Sequence, residues 1–169
     1  MKKNTNNDSV VITKLKQENI EDAQALLREY EIFIGIDLCF QNFKGEVASL
    51  PGNYAPPEGS FLVAYVGKKP AGCVALRRNL EGICEMKRLF VREEFQGLGL
   101  GKKLVEEIIR EGRNLGYSYL RLDTLPSMKK AQQIYEDFGF YDIPAYIYHP
   151  QEGTRYMELK LREDARNGR

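Results

Sequence analysis

The sequence predicts an α/β protein, an α+β arrangement built on one central, mostly antiparallel mixed sheet flanked by helices. Three observations predict it. Three strand-like runs follow one another across short turns: FLVAYV (61–66), AGCVALRR (71–78) and ICEMKRLFV (83–91). A glycine-rich turn, FQGLGLG, then opens an amphipathic run at 102–115. After that helix comes YSYLRLDT (117–124), so the two strands the helix connects should lie parallel.

The remaining elements fit around this centre. SVVITKL (9–15) alternates as a first strand. NIEDAQALLREYEIF (19–33) sets Ile20, Ala23, Leu26, Leu27 and Tyr30 at helical spacing, with Asn19 as its expected N-cap. QNFKGEVASL (41–50) is a weaker second helix that stops at Pro51-Gly52, and PGNYAPPEG is a loop. Gly67-Lys68-Lys69 and Asn79-Leu80-Glu81-Gly82 separate the three central strands into a meander. In the next helix Leu104, Val105, Ile108, Ile109 and Leu115 trace one face, and Gly116 ends it. SMKKAQQIYEDFGF (127–140) is a helix stopping near Gly139, and YMELKL (156–161) is a last strand.

The 169 residues suffice for one core, placed at 9–163. Residues 1–8 are expected to be a disordered lead-in and 164–169 a polar tail. MKKNTNNDSV carries positive charge without an apolar core, so it does not read as a signal peptide. A net charge of +1 supplies no general attraction for nucleic acid or anionic lipid, and no run approaches a membrane span. Cys39, Cys73 and Cys84 are widely spaced, without a metal or redox pattern; buried thiols in a cytoplasmic protein are expected. The only histidine, His149, lies in IYHPQEG and is expected at a solvent-exposed rim, and no metal site can be assembled around it.

A glycine turn between a strand and a helix offers unpaired amides at the positive end of the helix dipole, which suits phosphate. The P-loop pattern fails here, because its first glycine would be Gln96 and its hydroxyl residue Lys103. The dinucleotide pattern fails too, since its third glycine falls on Lys102 or Leu104; only Asp123, ending the next strand, fits its ribose acid. The pattern [QR]-x-x-G-x-[GA] matches Gln96-Gly97-Leu98-Gly99-Leu100-Gly101. With EMKRLFV feeding the turn and AQQIYEDFGF following the second parallel strand, the chain resembles the GNAT superfamily of acetyl-CoA-dependent N-acetyltransferases over roughly residues 10 to 161.

That resemblance implies acetyl-CoA as cofactor, with its pyrophosphate on Gln96, Gly97, Gly99, Leu100, Gly101 and Lys102. It also implies that strands 83–91 and 117–124 splay apart, so that the pantetheine arm enters beside Leu89, Phe90 and Val91. A bulky residue at Gly99 should intrude through its Cβ and strain the turn. Acyl transfer needs a neutral amine and a proton for the departing thiolate. Glu85, where several family members carry a catalytic glutamate, is the candidate base; the alternative is a carboxylate paired with Lys87 or Arg88. Tyr135, where family tyrosines meet the coenzyme sulfur, is the candidate acid; the alternative is a core aromatic. Backbone amides of the first splayed strand would polarise the carbonyl.

In this fold the acceptor lies between the first two helices and the C-terminal strands, which hold Tyr30, Phe33, Asp37, Phe40, Tyr54 and Tyr146. SLPGNYAPPEG is a candidate lid. The expected partner is the primary amine of a small molecule or peptide, with the protein a monomer or homodimer. An acyl-CoA sensor or interaction protein of the same fold is the alternative, and the presence of both Glu85 and Tyr135 favours the enzyme.

Overall fold

The structure is a computed structural model that describes residues 9–38 and 41–163. The expected lead-in and tail, and with them Cys39 and Phe40, lie outside the described residues. Seven strands form one sheet: β1 (Val10–Lys14), β2 (Ser60–Val66), β3 (Lys69–Leu80), β4 (Ile83–Val91), β5 (Tyr119–Thr124), β6 (Tyr141–Asp142) and β7 (Arg155–Lys160). Their spatial order is β1-β2-β3-β4-β5-β7-β6, and every neighbouring pair is antiparallel except β4 and β5. The crossover through the helix between these two strands carries the chain back to the same end of the sheet, so this pair runs parallel. The hairpins are tighter than expected: β3 extends beyond 71–78, and Gly67 (φ 60°) and Gly82 (φ 73°) supply the left-handed turn residues. β6, only two residues long, has no sequence signature.

Among the described residues four α-helices pack on the sheet: α1 (Ile20–Ile34), α2 (Phe43–Ala48), α3 (Leu100–Asn114) and α4 (Lys129–Asp137). Strand alternation divides the core into two layers. Phe61, Val63, Cys73, Ala75 and Phe90 face α1 and α2, meeting Ala23, Leu26, Leu27 and Phe43. Leu62, Val74, Leu76, Cys84, Met86, Leu120 and Leu122 face the α3 side, meeting Leu104, Val105 and Ile108. α2 and α4 are shorter than their apolar patterns. Asn19 holds the N-cap position of α1 as expected, but its side chain makes no capping bond to the helix; its Oδ1 instead accepts the Lys16 N–H at 2.7 Å.

Two features of this packing create a site. The pairing of β4 with β5 stops at Glu85↔Arg121, although both strands continue. Just beyond, the β3–β4 register jumps from Ala75↔Lys87 to Cys73↔Phe90, so Arg88 and Leu89 share the single partner Val74. Arg88 has φ 63°, uncommon for a residue with a side chain. This bulge bends β4 where its partner strand leaves, opening a fork. On the α1 face the helices reach only as far as β4. The polar face of β5 and β7 (Arg121, Asp123, Tyr156, Glu158) is left to the segment 143–154.

Candidate active site

The fork is a cleft lined by Met86, Lys87, Arg88 and Leu89 of β4, Leu122 to Thr124 of β5, Tyr30 of α1, Tyr135 of α4 and His149. Beyond the end of β4 the chain enters the glycine turn. Gly97 (φ 85°) and Gly99 (φ 76°) are left-handed, and Gly99 is the residue from which α3 starts. The first bond of α3 runs from the Lys103 N–H to the Gly99 carbonyl at 3.1 Å, so the amides just ahead have no partner within the helix. No protein atom lies within 4 Å of a Cβ built at Gly97 or Gly99. Within the protein, backbone conformation and not crowding selects glycine at this position. Gly101 is different, as its Cβ would meet Ile134 Cδ1 at 3.3 Å, and it serves the packing of α3 on α4. Gln96 ties the turn to the strand by donating to the Val91 carbonyl at 3.2 Å. Lys102 is exposed.

Leu89 lines the fork as expected. The side chains of Phe90 and Val91 do not: Phe90 is 6% exposed against Tyr30 and Phe33, and Val91 packs toward Phe95 and Leu100. Those two residues can offer the cleft only their backbone, which β5 leaves unpaired.

Tyr135 is 5% exposed, packed on Phe140, and lines the cleft. Its hydroxyl has no hydrogen-bond partner among the described residues. It is also not among the sealed polar atoms, the one example of which is Asn79 Oδ1, so it opens on the cleft. Burial, reinforced by the charges of Tyr30 and Asp123, raises this phenol above its ordinary value.

Glu85 is fully buried and its carboxylate is occupied. Oε1 takes Arg77 Nη2 at 2.9 Å with Lys87 Nζ at 3.6 Å, and Oε2 accepts the Tyr146 hydroxyl at 2.7 Å. Burial alone would raise this carboxyl, but Lys87, Arg77 and the Tyr146 hydroxyl outweigh it and hold it below the usual range. The group expected to be a free base is thus an anion bound on both oxygens and set behind the cleft wall. The spacing on β4 showed its address, whereas its three partners come from β3, β4 and a distant loop.

The expected acceptor residues divide. Tyr30 lines the cleft and stacks under Arg88. Tyr146 lies over Glu85, with Arg121 above its ring at 5.3 Å. Phe33 and Asp37 are exposed near the end of α1. Tyr54 is buried outside the cleft, donating to Glu46 Oε1 at 2.9 Å. The loop 49–59 contributes nothing to the lining and is not a lid over this cleft; the Tyr117 hydroxyl holds it through the Glu58 carbonyl at 2.6 Å. His149 is also corrected. Its side chain is only 5% exposed, turned inward with Nε2 3.9 Å from Asp123 Oδ2. Its Nδ1 accepts the Gln151 N–H, so the neutral ring carries its proton on Nε2. Burial, helped by Lys87 and opposed by Asp123, keeps the ring below its ordinary value. Sequence reasoning missed the cleft positions of Lys87, Asp123 and His149. Only Asp123, at the end of an expected parallel strand, carried a signal.

A fork between parallel strands, walled by a tyrosine and followed in the chain by a glycine turn that starts a helix, has a counterpart in known proteins. The acetyltransferase (GNAT) family model matches residues 21–140. The chain belongs to this family. Family membership makes it an acyl-CoA-dependent N-acetyltransferase. It is 42% identical to an uncharacterized N-acetyltransferase of Schizosaccharomyces pombe over 157 residues, covering 92% of this chain and 96% of that one. Among solved structures, a GNAT acetyltransferase of Staphylococcus aureus superposes with a TM-score of 0.75 at 20% identity, covering 91% of this chain and all of the other. The Salmonella typhimurium acetyltransferase yncA, solved with acetyl-CoA, superposes at 0.66 with 18% identity over 92% of this chain and 96% of that one. At such identities these two establish the GNAT fold. Among the described residues no helix is long and apolar enough to cross a membrane, and no group of side chains could hold a metal ion.

Proposed function

We propose that the protein moves an acetyl group from acetyl-CoA to the primary amine of a small molecule or peptide, the amine attacking the thioester directly. The observation that carries this reading is the open fork between β4 and β5, lined by Leu89 and Tyr135, in a chain whose β4 leads into a turn with two left-handed glycines at the start of α3. The residues fit the cofactor: two left-handed glycines leave an open cradle, and the unpaired β4 edge at 89–91 runs beside it. When bound, acetyl-CoA supplies the activated acetyl group. The turn amides and the start of α3 hold anionic oxygens. The β4 edge orients an extended chain by backbone hydrogen bonds, Tyr135 delivers a proton at its hydroxyl, and Glu85 fixes Lys87 and Tyr146 in the wall. Burial raises the phenol, but the same dry environment makes a leaving thiolate more basic, so the transfer is not lost to desolvation. Release of free thiol from acetyl-CoA in the presence of a panel of primary amines tests the reading; acetyl-CoA binding without turnover on any amine would favour a sensor.

Gly99→Val is expected to weaken coenzyme A binding about 5- to 150-fold, because a β-branched residue at φ 76° costs about 1–3 kcal/mol. Calorimetric titration with coenzyme A measures this, and wild-type affinity in the variant would remove the turn from the phosphate site.

Glu85→Gln is expected to act on stability. It leaves Lys87, whose side chain is 5% exposed, without its nearby anion, at a cost of about 3 kcal/mol at neutral pH, the low end for a broken buried pair. Because the folded-state carboxyl is held below its ordinary value, its contribution is present above the unfolded-state value near ~4.3. It is lost as pH falls through the lower folded-state value. Urea midpoints for both proteins should therefore differ most above pH ~5 and converge in acid. A gap independent of pH would show that the carboxylate charge is not what matters.

A further inference from the structure

Lys87 follows Met86 in β4, and because Met86 points into the α3 layer, the lysine turns to the opposite, polar face and lines the fork. Its side chain is only 5% exposed, and its one ion pair among the described residues is with Glu85 Oε1 at 3.6 Å. That contact is longer than a hydrogen bond. Oε1 is already taken by Arg77, through Nε at 3.1 Å and Nη2 at 2.9 Å, and Oε2 by the Tyr146 hydroxyl. The three donors of the ammonium are thus unused among the described residues. Nζ is not among the sealed polar atoms either, so it opens on the fork.

Arg77 and Lys87 share the single carboxylate of Glu85, so this cluster carries a positive charge in excess. The other arginines near the fork are matched, Arg88 by Glu46 and Arg121 by Glu158. Asp123, on the facing strand, acts on Lys87 only through space, and its own ion pair is with His149. Burial lowers the proton affinity of the ammonium, and an arriving anion would supply acceptors and favour the charged form. Position decides which ligand brings that anion. Lys87 lies ahead of the Arg88–Leu89 bulge, whereas the unpaired edge at 89–91 that suits the cofactor lies after it. A chain running back from the glycine turn along that edge ends before it reaches Lys87. The ammonium therefore faces the acceptor, on the side where Tyr146 reaches Glu85 and His149 lines the cleft.

We infer that Lys87 docks a carboxylate of the acceptor, so that the substrate is a small amine bearing a carboxylate, of the amino-acid class. This rests on the acetyl-transfer reading above and narrows its acceptor. Lys87 acts here as a specificity residue: it holds the carboxylate and leaves the amine to meet the thioester. A carboxylate matches the excess of a single positive charge, whereas a phosphate dianion would exceed it. Its two oxygens can each accept from the ammonium while Glu85 stays behind on the far side. A polyamine, or an amine with no anion near it, would leave the ammonium without acceptors and bring a second cation toward it, so the same residue selects against them.

Thiol release from acetyl-CoA tests this with α-, β- and γ-amino acids, each beside its amide and its decarboxylated amine. The wild-type protein should prefer the acid of its best set about tenfold or more in kcat/KM, the range of a charge-assisted hydrogen bond, with the difference in KM. Lys87→Met should abolish that preference, and Lys87→Arg should retain part of it. All three proteins meet the same compounds, so intrinsic differences in amine reactivity cancel in the comparison. Glu85 keeps Arg77 and Tyr146 in Lys87→Met, so the fold should persist, and the same loss of preference is expected of Lys87→Gln. Wild-type turnover of amides or decarboxylated amines as good as that of the acids would overturn the carboxylate dock while acetyl transfer stands. So would an unchanged preference in Lys87→Met. Absence of thiol release with any amine would overturn the acetyl-transfer reading and the role of Lys87 with it.

Discussion

Replacing Tyr135 by Phe is expected to lower turnover about 10²-fold while leaving acetyl-CoA affinity close to wild type. The substitution removes one oxygen and keeps the ring that packs on Phe140 at a centroid distance of 5.6 Å. The hydroxyl has no hydrogen bond to the described protein, so its loss breaks no internal contact, and the thermal midpoint should move by no more than a degree or two. This separates chemistry from packing. A tyrosine present only to fill the core would be replaced by phenylalanine without effect on rate. Steady-state kinetics beside a melting curve read both quantities, and full turnover across the pH range would remove the hydroxyl from the mechanism.

Arg88→Met is expected to destabilise the fold by about 3–5 kcal/mol, the cost of removing one partner from a buried ion pair. Arg88 is 4% exposed and grips Glu46 of α2 through two nitrogens, at 2.9 and 3.1 Å, with Gln41 Oε1 at 2.7 Å. Its guanidinium also lies over Phe43 at 5.0 Å and Tyr30 at 5.7 Å. One side chain thus bolts α2 and α1 to the bulge of β4. Without it the Glu46 carboxylate, 14% exposed, retains only the Tyr54 hydroxyl. The double variant Arg88→Met, Glu46→Leu should recover much of the loss, because it removes the stranded charge. Denaturant unfolding of the three proteins tests this. A cost below about 1 kcal/mol for the single variant would mean that the clamp contributes no more than a surface pair.

The expected strands, the parallel pair, the amphipathic face of α3 and the glycine turn were legible because each rests on local physics. Side-chain period sets strand or helix, glycine permits the left-handed turn, and a crossover helix forces its two strands parallel. By the same means the sequence placed a glycine turn at 96–102 between a strand end and a helix start, whereas it was the resemblance to the GNAT superfamily that singled out Tyr135, which the structure sets on the wall of the fork.

What only the tertiary structure decided is which charges are committed. Glu85, Arg88 and Asp123 look alike on the page, each a charged residue on or near a splayed strand. In the fold, Glu85 is consumed by Arg77, Lys87 and Tyr146, and Arg88 by Glu46 and Gln41, whereas Asp123 accepts no hydrogen bond among the described residues and has His149 Nε2 at 3.9 Å. His149 likewise passed for a rim residue until the segment 143–154 folded its ring inward. Hydrophobic pattern is short-ranged and repeats, so one segment reveals it. Charge pairing joins residues far apart in sequence, as Arg92 joins Glu29 across 63 positions, and no local period records such a distance.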